Sequence, residues 1–264
     1  MESSSFLFAF ALTLFAGLGT GIGSALASFT KKTNRKVLSL ALGFSAGVMV
    51  YVSFVELFPQ GKNLMLEAQV GFAELYTTIA FFGGILLIFL IDMLIPKTKN
   101  PHEIHMIEEM KTVNPQGLKR VGILMALAIG IHNFPEGIST FMSAYMSPDL
   151  GITIAVAIAI HNIPEGIAVS VPIYYATGNR RKAFWYSFLS GMAEPVGGVV
   201  GFLLLRPFLT PVTLGFLLAG VAGIMVYISV DELLPSAEKY GNHHYSIIGF
   251  IFGMAVMATS LLML

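Results

Sequence analysis

The chain has 264 residues, of which 55% are hydrophobic and only 11% charged. A soluble domain carries about 25% charged residues, so a freely soluble fold is excluded. A formal net charge of zero gives no electrostatic footprint for a nucleic-acid partner, and the absence of cysteine rules out disulfides and thiolate metal ligands.

Eight apolar segments follow one another, at about 6–28, 37–58, 75–95, 120–143, 149–175, 183–206, 210–235 and 245–264. Each is long enough, as a helix, to cross roughly 30 Å of hydrocarbon. The expected fold is an all-α integral membrane protein, a single multi-pass domain over 1–264 with a cytoplasmic loop at 96–119. The first segment has only Glu2 before it, and its basic cluster follows at Lys31, Lys32, Arg35 and Lys36. A signal peptide has the opposite order, so this reads as a retained first span.

Orientation comes from the distribution of cations. With both termini outside, the inner loops hold Lys31, Lys32, Arg35, Lys36, Lys97, Lys99, Lys111, Lys119, Arg120, Arg180, Arg181, Lys182 and Lys239, and the outer side keeps only Lys62 and Arg206. The positive-inside rule selects that orientation. The run Phe184-Trp185-Tyr186 after Arg180-Arg181-Lys182 reads as an aromatic anchor at the inner surface.

The second and seventh segments share a pattern. Ala46-Gly47-Val48-Met49-Val50-Tyr51-Val52-Ser53-Phe54-Val55-Glu56-Leu57-Phe58-Pro59 aligns without gaps to Ala222-Gly223-Ile224-Met225-Val226-Tyr227-Ile228-Ser229-Val230-Asp231-Glu232-Leu233-Leu234-Pro235. More weakly, Gly17, Thr20 and Gly23 of the first segment match Gly191, Glu194 and Gly197 of the sixth. The division is therefore three helices, a central pair, and three helices. Three spans is an odd number, so the second set enters from the opposite side and the repeats (helices 1–3 and 6–8) are inverted. Inverted repeats around a midplane polar site are a recurrent transporter plan.

The central pair carries the chemistry. His132-Asn133-Phe134-Pro135-Glu136-Gly137 recurs 29 residues later as His161-Asn162-Ile163-Pro164-Glu165-Gly166. Ionisable groups at membrane depth cost several kcal/mol unless paired or liganded, so they mark function. Each histidine lies about 18 Å along its helix at 1.5 Å per residue, close to the bilayer centre. Residues three and four apart share a helix face, which sets His132 and Asn133 over Glu136, and His161 and Asn162 over Glu165. Pro135 and Pro164 remove backbone donors and are expected to break their helices there, freeing the carbonyls of Ile131 and Ile160. A third acid, Glu194, is followed by Pro195 in the sixth segment.

Three carboxylates close together in low dielectric need protons or cations. No lysine or arginine lies inside a span, Arg120 and Arg206 standing at span ends, so a metal is the economical counter-charge. Imidazole, carboxylate and amide oxygen without sulfur suit Zn, Fe, Mn, Co, Ni or Cu(II). Seven candidate ligands, His132, Asn133, Glu136, His161, Asn162, Glu165 and Glu194, exceed the four to six of one first-row ion. Two metals bridged by Glu136 and Glu165 fit better.

These motifs, with the eight spans and outward termini, resemble the ZIP family of divalent-metal transporters, in particular its bacterial zinc-transporting members. The resemblance covers essentially the whole chain. It implies a transporter rather than an enzyme, in the inner cell membrane, importing zinc and also Fe, Mn, Co or Cd into the cytoplasm. It implies one ion held by His132, Glu136, His161 and Glu165 and a second by Asn133, Glu136, Asn162, Glu165 and Glu194. The loop between the third and fourth helices has only His102 and His105, where many relatives are histidine-rich.

Two rival functions remain. An intramembrane metallohydrolase would place His-Glu-x-x-His on an unbroken helix with an open metal position; here the order is His-Asn-x-Pro-Glu. A proton-coupled carrier of a non-metal substrate could use the same acids. Glu56, and Asp231 with Glu232, either serve the two mouths of the path or pin the helices they sit on. Asp92 reads as interfacial, and His243 and His244 as solvated. The run Gly17-Leu18-Gly19-Thr20-Gly21-Ile22-Gly23 has no strand before it and no lysine, so it reads as close helix packing, as do Gly43/Gly47, Gly197/Gly201 and Gly249/Gly253. Such faces would also permit a homodimer.

Overall fold

Eight long helical segments follow one another in the computed structural model, which describes residues 2–29, 35–94, 115–240 and 243–263. They are α1 (Glu2–Phe29), α2 (Arg35–Val52, a π-helical turn at Ser53–Leu57, then Phe58–Glu67), α3 (Ala73–Leu94), α4 (Pro115–Met146) and α5 (Pro148–Thr177). Next come α6 (Arg180–Gly191 and Ala193–Leu205), α7 (Pro211–Ile228, a π-helical turn at Ser229–Leu233, then Leu234–Tyr240) and α8 (His243–Met263). No strand occurs among the described residues. Among them, seven helices are long and apolar enough to cross a membrane; α4, the remaining one, has 32 residues. Most of the loop at 96–119, with His102 and His105, lies outside the described residues.

Helix ends follow local chemistry. Ser147 alone joins α4 to α5, and its hydroxyl accepts from Leu150 N (3.5 Å) with Pro148 in the first turn. Gly178 takes φ 63° and closes α5 in the left-handed region, where a Cβ would be strained. Asn179 then caps α6, its side-chain oxygen accepting from Lys182 N at 3.1 Å. Thr210 does the same for α7, accepting from Thr213 N at 3.1 Å. Thr210→Ala should therefore lower stability by about 1 kcal/mol. Thermal unfolding in detergent checks this, and an unchanged midpoint would show that water replaces the cap.

The two segments aligned in sequence fold alike in detail. Ser53–Leu57 and Ser229–Leu233 occupy matching places in that alignment, and both are π-helical turns. Each is followed by a proline at its matched position, Pro59 and Pro235, inside a continuing helix. The extra residue of a π turn leaves a place where the helix can accept a proline without ending. That is why α2 runs on to Glu67, nine residues past the expected limit at 58.

Pairing follows the same plan. The main partners are α1 with α5, α4 with α6, α2 with α8, and α3 with α7, while α4 and α5 pack on each other. Exchanging α1–α3 with α6–α8, and α4 with α5, maps these pairings onto one another. The matching reaches single glycines. A Cβ on Gly166 would overlap the Thr20 carbonyl oxygen, and one on Gly137 would overlap that of Glu194, the residue aligned with Thr20. Gly43 and Gly47 approach the α8 backbone at Ser246 and Phe250; Gly249 and Gly253 return the contact at Leu40 and Phe44. The glycine faces that would permit a homodimer are thus occupied within the chain, as van der Waals association of small residues requires.

The expected helix breaks at the two motif prolines need correction. Helices α4 and α5 stay α-helical through Pro135 and Pro164. Losing one i to i−4 bond bends a well-packed helix without ending it. The break occurs instead in α6, at Met192, which separates Arg180–Gly191 from Ala193–Leu205.

Candidate metal centre

All seven residues singled out in the sequence meet in the interior. His132, Asn133, Glu136, His161, Asn162, Glu165 and Glu194 are each no more than 2% exposed. The two motif helices exchange partners: His132 Nε2 lies 3.0 Å from Glu165 Oε1, and His161 Nε2 lies 3.4 Å from Glu136 Oε2. The second nitrogen of His161 is 3.2 Å from the Ala157 carbonyl oxygen. Each histidine therefore faces the glutamate of the other helix rather than the one on its own turn. Sequence spacing alone points to the intrahelical pairing.

The asparagines hold the flanking helices. Asn162 Nδ2 donates to the Ala16 carbonyl at 2.9 Å, and Asn133 Nδ2 donates to that of Ser190 at 3.4 Å. Ala16 and Ser190 sit one residue before Gly17 and Gly191, so they too are counterparts in the repeat. Asn162 Nδ2 also donates to Glu194 Oε1. Glu194 lies in the first turn of the helix that restarts after Met192. The partial positive charge of a helix start favours a carboxylate there. Gly191 and Pro195 are the residues beside this break that carry any helix-breaking tendency.

Supporting bonds fix the backbone around the acids. Ser139 and Thr140 hydroxyls donate to the Glu136 carbonyl at 2.8 and 2.9 Å, and Ser45 donates to the His161 carbonyl at 3.2 Å. Sequence reasoning does not reach Ser45 and Ser190. The hydroxyl of one and the carbonyl of the other carry no residue-type signal for this use.

The unmade bonds are more informative. Nine buried side-chain polar atoms lack a hydrogen-bond partner among the described residues, and six belong to this cluster: His132 Nδ1, Asn133 Oδ1, Glu136 Oε1, Asn162 Oδ1, Glu165 Oε2 and Glu194 Oε2. Leaving one such group unsatisfied costs about 1–3 kcal/mol, more when it is charged. Both asparagines spend Nδ2 on backbone and keep Oδ1 free, and each carboxylate keeps one oxygen free. Five of the six are oxygen acceptors, the donor set of a hard or borderline divalent cation. Among the described residues, however, no three His, Asp or Glu side chains already form a cation cage. The histidine–glutamate pairs occupy the facing atoms instead.

Other candidates lie elsewhere. Glu56 and Glu232 are half-buried in the two π turns, and Asp231 is exposed beside Glu232. His243 is exposed and pairs with Glu238 at 2.5 Å, outside the centre. Asp92 is half-buried near the end of α3.

A helical bundle of membrane-length segments around a buried, acid-rich polar centre defines a multi-pass membrane transporter of cations. The family model described as ZIP Zinc transporter matches residues 93–261. The chain is 63% identical over 263 residues to a zinc transporter ZupT of Lysinibacillus sphaericus, with 98% of both chains covered. It is 58% identical over 274 residues to a ZupT of Nitratidesulfovibrio vulgaris, covering 100% and 99%, and 55% identical over 273 residues to a ZupT of Clostridium perfringens, covering 97% and 96%. The chain belongs to the ZIP zinc transporter family. It is a transporter and not an enzyme, so the metallohydrolase alternative falls.

Proposed function

We propose that this protein imports zinc into the cytoplasm across the inner cell membrane, through the centre formed by α4, α5 and α6. The single observation that carries this is the set of six unpartnered ligand-type atoms in a fully buried cluster of seven residues. Kinship with relatives named zinc transporters supplies the cargo. The oxygen- and nitrogen-only donor set also accommodates Fe, Mn, Co and Cd. In our reading the chain spans the membrane eight times with both termini outside, and its two three-helix repeats are inverted. The matched π turns, glycine contacts and asparagine bonds support that symmetry.

Two ions fit the centre better than one. His132, Glu136, His161 and Glu165 would hold the first. Asn133, Glu136, Asn162, Glu165 and Glu194 would hold the second, with the two shared glutamates bridging. Two divalent charges against three carboxylates leave about +1, far easier to bury than −3. Binding first separates the histidine–glutamate pairs, then recruits the idle oxygens.

Radiolabelled zinc uptake into proteoliposomes tests the reading. His161→Ala should reduce flux to the level of protein-free vesicles, because it removes a ligand and unpairs Glu136. Glu67→Ala, at an exposed position at the end of α2, should leave flux unchanged. No flux from the parent protein above empty vesicles would overturn the proposal.

A further inference from the structure

Along the exposed face of the first half of α6 runs a groove of about 440 Å3, lined by Asn179, Arg181, Lys182, Trp185, Tyr186 and Leu189. Its chemistry is graded along the helix. Arg181 and Lys182 stand at one end, both exposed and with no carboxylate partner among the described residues. The neighbouring Arg180 is engaged differently, its guanidinium lying 5.6 Å over the Tyr174 ring. One turn on come Trp185, 50% exposed, and Tyr186; a turn further comes Leu189, 60% exposed. From Arg181 to Leu189 the rise is about 12 Å at 1.5 Å per residue.

We propose that this groove binds an anionic phospholipid. Two unpaired cations at the mouth complement a lipid phosphate and an anionic headgroup. Trp185 and Tyr186 match the glycerol and ester level, where amphipathic rings are preferred. Leu189 meets the start of an acyl chain. A zwitterionic lipid carries its own cation beside the phosphate and gains less from Arg181 and Lys182, so the preference is for negative net charge. The Trp185 ring is held by its neighbours, because Phe184, Trp185 and Phe188 pack edge-on or stacked with centroids 5.5–5.7 Å apart, and Tyr186 packs against the small cluster of Val169, Ile173 and Ala183.

The site is distinct from the metal centre but mechanically joined to it. The same helical segment, Arg180–Gly191, carries Ser190, whose carbonyl accepts from Asn133, and it ends at the break before Glu194. A lipid seated on Arg181 and Lys182 therefore grips the piece of α6 that positions Asn133.

Trp185 is the only tryptophan in the chain and lines the groove, so it reports occupancy directly. The protein is reconstituted into phosphatidylcholine vesicles in which a fixed fraction of lipid is brominated, either as phosphatidylglycerol or as phosphatidylcholine. Brominated phosphatidylglycerol should quench Trp185 more strongly at equal mole fraction, corresponding to roughly a tenfold or greater preference from two cations. R181Q/K182Q should remove the excess while leaving quenching by brominated phosphatidylcholine unchanged, which also shows that the variant is folded and inserted. Equal quenching by the two lipids in the parent protein would overturn the proposal. So would an excess that survives R181Q/K182Q. The readout does not involve zinc, so its failure and a failure of transport are separable.

Discussion

Glu136→Gln and Glu165→Gln are each expected to abolish zinc uptake and to weaken zinc binding by about a thousandfold. A unit charge about 4 Å from another contributes about 4 kcal/mol at the effective dielectric of 20 suited to protein sites, and each 1.4 kcal/mol is a factor of ten. The substitution preserves volume and replaces one carboxylate oxygen with an amide, so packing is not the cause. It also disrupts a cross-helix pair: His161 loses its charged partner in one variant and His132 in the other. Glu194→Gln should be milder. Glu194 serves one ion in the proposed arrangement and already has an asparagine amide on one oxygen. Calorimetric titration with zinc in detergent, alongside proteoliposome flux, checks the order. Binding by Glu136→Gln within tenfold of the parent would mean that Glu136 does not bridge.

Gly166→Ala is the second large effect, and it acts through stability. A single methyl group there would run into the Thr20 carbonyl at the crossing of α1 and α5. Overpacking of this kind costs about 1–3 kcal/mol and more where backbone must move. Separation of these helices would also stretch the Asn162 bond to Ala16, so residual folded protein should transport poorly. Gly83 supplies the contrast: it lies exposed on α3 with nothing within 4 Å of its missing Cβ. Gly83→Ala should leave transport intact and stabilise the helix by up to about 1 kcal/mol. Thermal unfolding midpoints that moved alike in the two variants would show that the contact, as described, does not govern the cost.

Much of this is legible in the chain. Composition and segment length specify membrane helices, because hydrocarbon leaves the backbone only a helix or a closed barrel, and continuous apolar runs of about 20 residues fit the helix. The identities of all seven residues of the centre are legible too. Burying polar groups inside apolar runs is costly, so six of them recurring at a fixed spacing, with Glu194 as a further acid inside an apolar segment, point to a site that uses them. The alignment of residues 46–59 with 222–235 foreshadows the two π turns as a pair, though not as π turns. Hydrogen-bond register depends on packing that single residues do not encode.

Helix irregularities are the least readable feature. Pro135 and Pro164 look like breaks, yet their helices continue, while α6 breaks at Met192, a residue with no breaking tendency. Proline removes one donor, and whether that ends a helix depends on what packs against the freed carbonyl. Glu194 gains from this, since the restart sets it at a helix start facing Asn162.

By itself, then, the sequence pointed to the seven residues that meet in the interior, to the two related sets that six of them form, and to apolar helices around them. Those follow from residue chemistry and periodicity, which are local. Only the tertiary structure decided that each histidine faces the other helix's glutamate, that asparagine amides tie the cluster to Ala16 and Ser190, and which of its oxygens lack a hydrogen-bond partner among the described residues. These depend on how α4, α5, α1 and α6 cross, and that crossing is set by glycine contacts between segments far apart in the chain.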